Sequence, residues 1–250
     1  MSYQTPATSK TPALIIYLID LSRSMNQQIG GCRKVDIVMS AMQKVLIRMV
    51  QRSTKGTNIT PRYRVSMLGY HREVIDLLNG IQTINAVAER GIPKPQLDYG
   101  TQTAVGFTAV EQLLQIEMPH LQECPAPLVC HLTDGLYGGA DPEPIVERIK
   151  NMVTPDGNVL VENIFVGKSI LDKPIIDSTT WPGIIEADSL KKSYARKLFA
   201  MSSVIPDSYL MIMREFGYSL KPAARMLFPA DNPDMVELGF VMSGATPVTR

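Results

Sequence analysis

The sequence predicts an α/β fold: a doubly wound, mostly parallel central sheet with helices on both faces. Three observations predict it. The run Ala13-Leu14-Ile15-Ile16-Tyr17-Leu18-Ile19 is apolar without alternation and rich in β-branched residues, so it reads as a strand buried on both faces. Leu128-Val129-Cys130-His131-Leu132-Thr133 and Val159-Leu160-Val161-Glu162-Asn163-Ile164-Phe165-Val166 repeat that character later in the chain. Between such runs, apolar residues recur at helical spacing, so strands alternate with helices and each crossover returns a parallel strand.

The first strand ends at Asp20, and residues 25–31 read as a loop. Val35, Ile37, Val38, Ala41, Met42, Val45, Leu46, Met49 and Val50 then give a long amphipathic helix. Residues 51–60 are polar, and Pro61 bars further helix. Arg62-Tyr63-Arg64-Val65-Ser66-Met67-Leu68-Gly69-Tyr70 reads as the next strand, with residues 73–78 as a shorter partner at the sheet edge. Residues 79–98 carry no clear period, and Pro93 and Pro95 suggest an irregular connection. Gly100-Thr101-Gln102-Thr103-Ala104-Val105-Gly106-Phe107 opens a helix that continues through Val110, Leu113 and Leu114. After Asp134, residues 136–139 are loop, and Pro142 suits the first turn of a helix reaching Met152. A proline-punctuated connection over residues 168–188 holds the only tryptophan, Trp181. Helices near residues 190–202 and 209–216, a strand at 224–228 and a helix at 231–242 complete the pattern. The expected organisation is a flexible tail over residues 1–11, a single domain over 12–243 and a short tail over 244–250.

Composition excludes several classes of function. The 25 basic residues balance 24 acidic ones, and neither a basic stripe nor an acidic tail stands out. Nucleic-acid and anionic-membrane partners therefore lack an electrostatic basis. No apolar run approaches the roughly 20 residues that cross a bilayer. The start of the chain has neither a basic nor an apolar leader region. Three cysteines, Cys32, Cys124 and Cys130, are sparse and odd in number. They lead to the expectation of a reducing, cytoplasmic compartment.

The chemistry lies in three loops. Asp20-Leu21-Ser22-Arg23-Ser24 sets an acid and two hydroxyls at the end of the first buried strand. Thr101 and Thr103 stand at a helix start, where the ordinary role of threonine is to cap the helix. Thr133-Asp134-Gly135 ends another strand, where Asp-Gly is in any case a turn pair. Each has a plain structural explanation alone. Together they place oxygen ligands beyond the carboxyl ends of strands, where open α/β sheets bind ligands. Oxygen donors suit a hard cation such as Mg²⁺.

This ordered set resembles the von Willebrand factor A domain with its metal-ion-dependent adhesion site, over residues 12–243. The resemblance implies that Asp20, Ser22, Ser24, Thr103 and Asp134 surround one divalent cation, Mg²⁺ or Mn²⁺, directly or through water. Thr101 is the alternative to Thr103, which better fits the family's threonine-then-helix pattern. The resemblance also implies a non-catalytic module in which the cation takes a carboxylate from an Asp or Glu of a protein partner. Stand-alone cytoplasmic bacterial members of the tellurite-resistance and stress type, found beside a protein kinase and a phosphatase, are the nearest in character. Where the family has a small residue between the two serines, this chain has Arg23. That arginine either contacts an acidic partner, folds over the site, or is simply solvated.

Other chemistries fit less well. The haloacid-dehalogenase phosphatases also end a buried strand in aspartate, but their mechanism needs a general acid two residues on, where this chain has Ser22. A Mg²⁺-dependent phosphohydrolase using the strand-end aspartates is the alternative function. No phosphate-binding glycine loop, dinucleotide fingerprint or serine-nucleophile elbow is present. His120, Cys124, Cys130 and His131 lack the paired spacing of a zinc site, and adjacent strand residues 130 and 131 face opposite ways. His131 therefore reads as a packed core residue. The 14 methionines read as core filling.

Overall fold

The structure, a computed structural model, describes residues 3–56, 58–135, 137–168 and 170–248. Its main sheet contains, in chain order, β1 (Ala13–Asp20), β2 (Tyr63–Tyr70), β3 (Val74–Asp76), β4 (Gln82–Thr83), β5 (Leu128–Thr133), β6 (Leu160–Phe165) and β7 (Leu227–Pro229). In space the order is β7-β6-β5-β1-β2-β3, with β4 pairing further along β2. The pairs from β7 through β2 are parallel, and β3 and β4 run antiparallel at the edge. All eight residues of β1 are buried, as a central strand covered on both faces requires.

The helices are α1 (Lys34–Ser53), α2 (Ile84–Arg90), α3 (Thr103–Glu117), α4 (Glu143–Lys150), α5 (Ser193–Met201), α6 (Asp207–Glu215) and α7 (Pro233–Ser243). Neighbouring residues of β1 show which face each layer covers, because successive strand side chains point oppositely. Tyr17 hydrogen-bonds Ser243 of α7 (2.9 Å), while Leu18 lies against Gly106 of α3. α1 and α2 join the α7 layer, and α4 and α5 join the α3 layer. Gly106 is needed for close approach: a Cβ there would lie 3.0 Å from Tyr70 and 3.1 Å from Leu18. α3 thus sits directly over the ends of β1 and β2.

The structure refines the expected elements in three places. Residues 79–98 contain β4 and α2, and Thr83 caps α2 by accepting from the Ala86 N–H (3.4 Å). A 3-10 turn, Arg23–Asn26, leads into the loop at 25–31, which also contains one strand of a two-stranded hairpin, Gln28–Ile29 with Cys32–Arg33. The segments expected as tails are tied down. The Asp156 carboxylate accepts from the N–H groups of Gln4 and Thr5 (2.9 Å each), and Ala7 is buried and bridges Val248. Residues 1, 2, 249 and 250 of those tails, and Leu136 of the expected loop, lie outside the described residues.

Candidate metal centre

β1 and β5 are neighbours, so their carboxyl ends bring Asp20 and Asp134 together at the point where the chain changes direction across the sheet. Asp20 is fully buried. Its Oδ1 accepts from the Ser22 N–H (2.8 Å) and its Oδ2 from the Thr133 hydroxyl (3.1 Å). Ser24 Oγ donates to Asp134 Oδ1 (2.8 Å), so the Ser22 hydroxyl, 2.8 Å from Ser24 Oγ, is the donor of that pair. Ser22, Ser24 and Asp134 therefore form a row of oxygens, which Asp20 joins through the Ser22 N–H.

Thr103 is the first residue of α3 and is buried, with no side-chain cap on that helix. Its hydroxyl donates to Tyr70 OH (3.3 Å), which leaves its lone pairs free to face a ligand. Thr101 is half-buried, and its backbone carbonyl accepts from the Gly138 N–H (2.6 Å). Hydrogen bonds thus link Asp20, Ser22, Ser24 and Asp134, while Thr103 at the helix start meets Tyr70, the register partner of Asp20, and Thr101 is engaged through its backbone.

Arg23 does not fold back over the acids. Its guanidinium stacks on the exposed Tyr99 ring, 4.6 Å from the centroid. The Asp98 N–H holds that loop against the Leu21 carbonyl (3.0 Å). Arg23 also opens a groove of about 1010 Å³ that follows α1, lined by Met39, Ile47, Ile84, Val87 and Pro93 among others.

Three residues at the site escaped the sequence reading. Lys34 Nζ donates to Asp134 Oδ2 (2.7 Å) and to Gln27 Oε1 (3.0 Å), with both members of the ion pair nearly buried. Its signal was its spacing: Lys34 precedes Val38, Ala41 and Val45 on the apolar stripe, where a lysine must have a partner. Thr133 was part of the quoted strand but had no evident role. Tyr70 is the register partner of Asp20 across β1 and β2, a relation that no local pattern reveals.

Burial raises the Asp20 carboxyl to about 6, against the hydrogen bonds from Ser22 and with help from the nearby Asp134 charge. Burial also pushes the Tyr70 phenol well up and lowers His131 to about 4. The neutral imidazole fits its partners. Asn163 donates to Ser202 Oγ (2.9 Å), so its Oδ1 accepts from His131 Nδ1–H (2.8 Å), and Nε2 accepts from Tyr70 OH (2.9 Å). A directed chain thus runs from Thr103 through Tyr70 and His131 to Asn163. His131 is a core residue, as expected, but one that fixes the floor of the site.

The donor set fits a hard cation. All of its side-chain donors are oxygens, the ligands that Mg²⁺ prefers, and the Ser22–Ser24 and Ser24–Asp134 separations, both 2.8 Å, are ordinary hydrogen-bond lengths that hold these oxygens side by side. Among the described residues no group of three or more His, Cys, Asp or Glu is placed to hold a metal ion.

No protein-family model and no curated protein matches this chain. Its fold matches the pilus adhesin SpaC from Lactobacillus rhamnosus GG (TM-score 0.57, 12% identity, 94% of this chain and 30% of that one). It also matches proximal thread matrix protein 1 from the mussel byssus (TM-score 0.53, 13% identity, 96% and 47%). A further structure of the byssus protein has zinc in its MIDAS motif (TM-score 0.44, 15% identity, 64% and 37%). The chain therefore spans less than half the length of either protein. An aerotolerance-related membrane protein from Bacteroides fragilis is a weaker match (TM-score 0.47, 12% identity, 76% and 86%).

These findings overturn the cytoplasmic expectation, since the matched folds belong to a pilus adhesin and a byssus matrix protein. The physical reason is plain. Cys124 and Cys130 are buried and serve as small apolar residues, so their number carries no information about compartment. Among the described residues no helix is long and apolar enough to cross a membrane. The sheet order, the helices on both faces and these likenesses establish the fold as the Rossmann-like α/β fold of von Willebrand factor A domains.

Proposed function

We propose that this protein is a non-catalytic, cation-dependent protein-interaction module. Asp20, Ser22, Ser24, Thr103 and Asp134 would hold one divalent cation, directly or through water. The observation that carries this reading is the hydrogen-bonded set of Ser22, Ser24 and Asp134 oxygens beside the buried Asp20 carboxylate, at the carboxyl ends of two neighbouring parallel strands. Oxygen-only donors favour Mg²⁺ or Mn²⁺, and Mg²⁺ tends to keep exchangeable waters. One such position can take a carboxylate from an Asp or Glu of a protein partner. The exposed Arg23–Tyr99 stack stands at the rim, and arginine and tyrosine are among the residue types that dominate interface energetics. It supplies a charged contact for an acidic partner segment.

The phosphohydrolase alternative has no supporting geometry. Ser22 stands where a general acid is required, and its hydroxyl is committed to Ser24. His131 is committed to Tyr70 and Asn163. The stress-assembly setting implied by the family resemblance gains nothing from the matched folds, so the reading rests on the module and on its partner's chemistry.

The test is capture of partners from native lysate on immobilised wild-type and Asp20→Ala protein, with and without chelator. Capture by the wild type alone, lost in chelator, supports the module. Equal capture by all samples contradicts it. Hydrolysis of p-nitrophenyl phosphate by the wild type, lost in Asp20→Ala, would establish the enzyme instead.

A further inference from the structure

We infer that Lys34 is a resident cation of this site, which weakens its hold on a divalent ion and leaves the loaded site with one positive charge for an incoming carboxylate. The inference rests on the cation reading above and adds a specificity-determining residue to it. Lys34 is the first residue of α1, and its backbone N–H is fixed to the Gln27 carbonyl (2.9 Å). Its side chain crosses to Asp134, with 9% of the lysine side chain and 6% of the aspartate side chain exposed. Water does not screen such a pair as it would at the surface.

Both Asp134 oxygens are occupied, Oδ1 by Ser24 and Oδ2 by Lys34. A cation that takes Asp134 as a ligand must displace one of these donors or share the carboxylate with the ammonium. Releasing Ser24 still leaves two cations on one carboxylate in a poorly solvated cleft, where their repulsion is much stronger than in water. Releasing Lys34 strands an ammonium whose remaining hydrogen-bond partner is the neutral Gln27 amide. Either route costs binding energy that a site without Lys34 would keep.

Charge accounting gives the functional consequence. Asp20 and Asp134, both ionised, balance a divalent cation, so the two acids and the metal sum to zero. Lys34 raises the loaded site to one positive charge, and a single carboxylate from a partner restores neutrality. Cation and carboxylate then strengthen each other's binding, as linkage requires. Without its partner, the site retains metal poorly.

The experiment is calorimetric titration with Mn²⁺ of the wild type, Lys34→Met and Lys34→Gln, with acetate present and absent. Both variants should bind Mn²⁺ about tenfold more tightly or better, and acetate should improve their affinity less than it improves that of the wild type. Unchanged or weaker Mn²⁺ binding by folded variants overturns the inference while leaving the cation reading intact. Absence of Mn²⁺ binding by the wild type and both variants overturns both. Should the variants not fold, ¹⁵N spectra of the Lys34 ammonium in the wild type provide the measurement, with Mg²⁺ as the probe. A change in that resonance as Mg²⁺ saturates the site supports the inference, and an unchanged resonance at saturation overturns it.

Discussion

Asp20→Asn should stabilise the metal-free protein at neutral pH. The wild-type carboxyl is fully buried and raised from 3.8 to about 6. Its proton is therefore held more tightly in the folded state than in the unfolded chain. A raised acid contributes stability below its unfolded value and loses it as pH rises through its folded value. The separation is about two pH units, each worth about 1.4 kcal/mol, so ionised Asp20 costs the folded state about 3 kcal/mol at pH 7. Asparagine keeps the acceptor for the Ser22 N–H and carries no charge. For a chain of this size the gain corresponds to a rise of about 6–12 °C in melting temperature. The assay is thermal denaturation in chelator at several pH values. The advantage of the variant should shrink as pH falls from 6 towards 4, where the wild type also becomes neutral. An equal or lower melting temperature for the variant at pH 7 would refute the reasoning, as would an advantage independent of pH.

The other predictions concern His131, Glu162, Asp156 and Arg23. His131 is lowered to about 4 by burial, so its contribution is present above 6.5 and is lost as pH falls through 4. In Asp20→Asn this loss of about 3 kcal/mol is no longer offset by Asp20, and urea denaturation should show the variant losing stability across that window more steeply than the wild type. Glu162 is fully buried, is pushed well up by burial, and among the described residues its oxygens have the weakly polar Cys130 thiol beside them and no hydrogen-bond partner of ordinary strength. Glu162→Met should therefore stabilise by about 1–3 kcal/mol, and a clear loss in chemical denaturation would show that the acid has a structural role. Asp156 accepts from the N–H groups of Gln4, Thr5 and Ala126, so Asp156→Ala should cost on the order of 2–4 kcal/mol and speed hydrogen exchange at residues 4 and 5. Arg23→Gly should weaken carboxylate-partner binding by about 1–3 kcal/mol and lessen its salt dependence, and unchanged affinity at two salt concentrations would make Arg23 a bystander.

What was legible in the sequence followed from strong, local physics. A seven-residue apolar run without alternation, short and rich in β-branched residues, favours a strand covered on both faces, and residues 13–19 lie in one. The long α1 stripe and the threonine-led α3 were readable for the same reason. The five side chains proposed as cation ligands could be singled out because their loops follow directly from buried strands or begin a helix. Features that depend on register or distant partners were not legible. Tyr70 reaches the site because β2 pairs with β1 at Asp20, and Thr133 because β5 lies on the other side. α2 has only seven residues, too few to establish a period. Residues 4–7 looked like a tail because the groups that hold them, Asp156 for Gln4 and Thr5 and the Pro247 carbonyl for Ala7, are more than 140 positions away.

The central claim is that these five side chains bind a divalent cation, and calorimetric titration with Mg²⁺ and Mn²⁺ tests it most directly. Wild-type protein is compared with an Asp20→Ala, Asp134→Ala double variant, each first stripped with chelator and shown to be folded. Both carboxylates border the oxygen row, so the account predicts one saturable site in the wild type and none in the variant. Equal binding by the two proteins would contradict it.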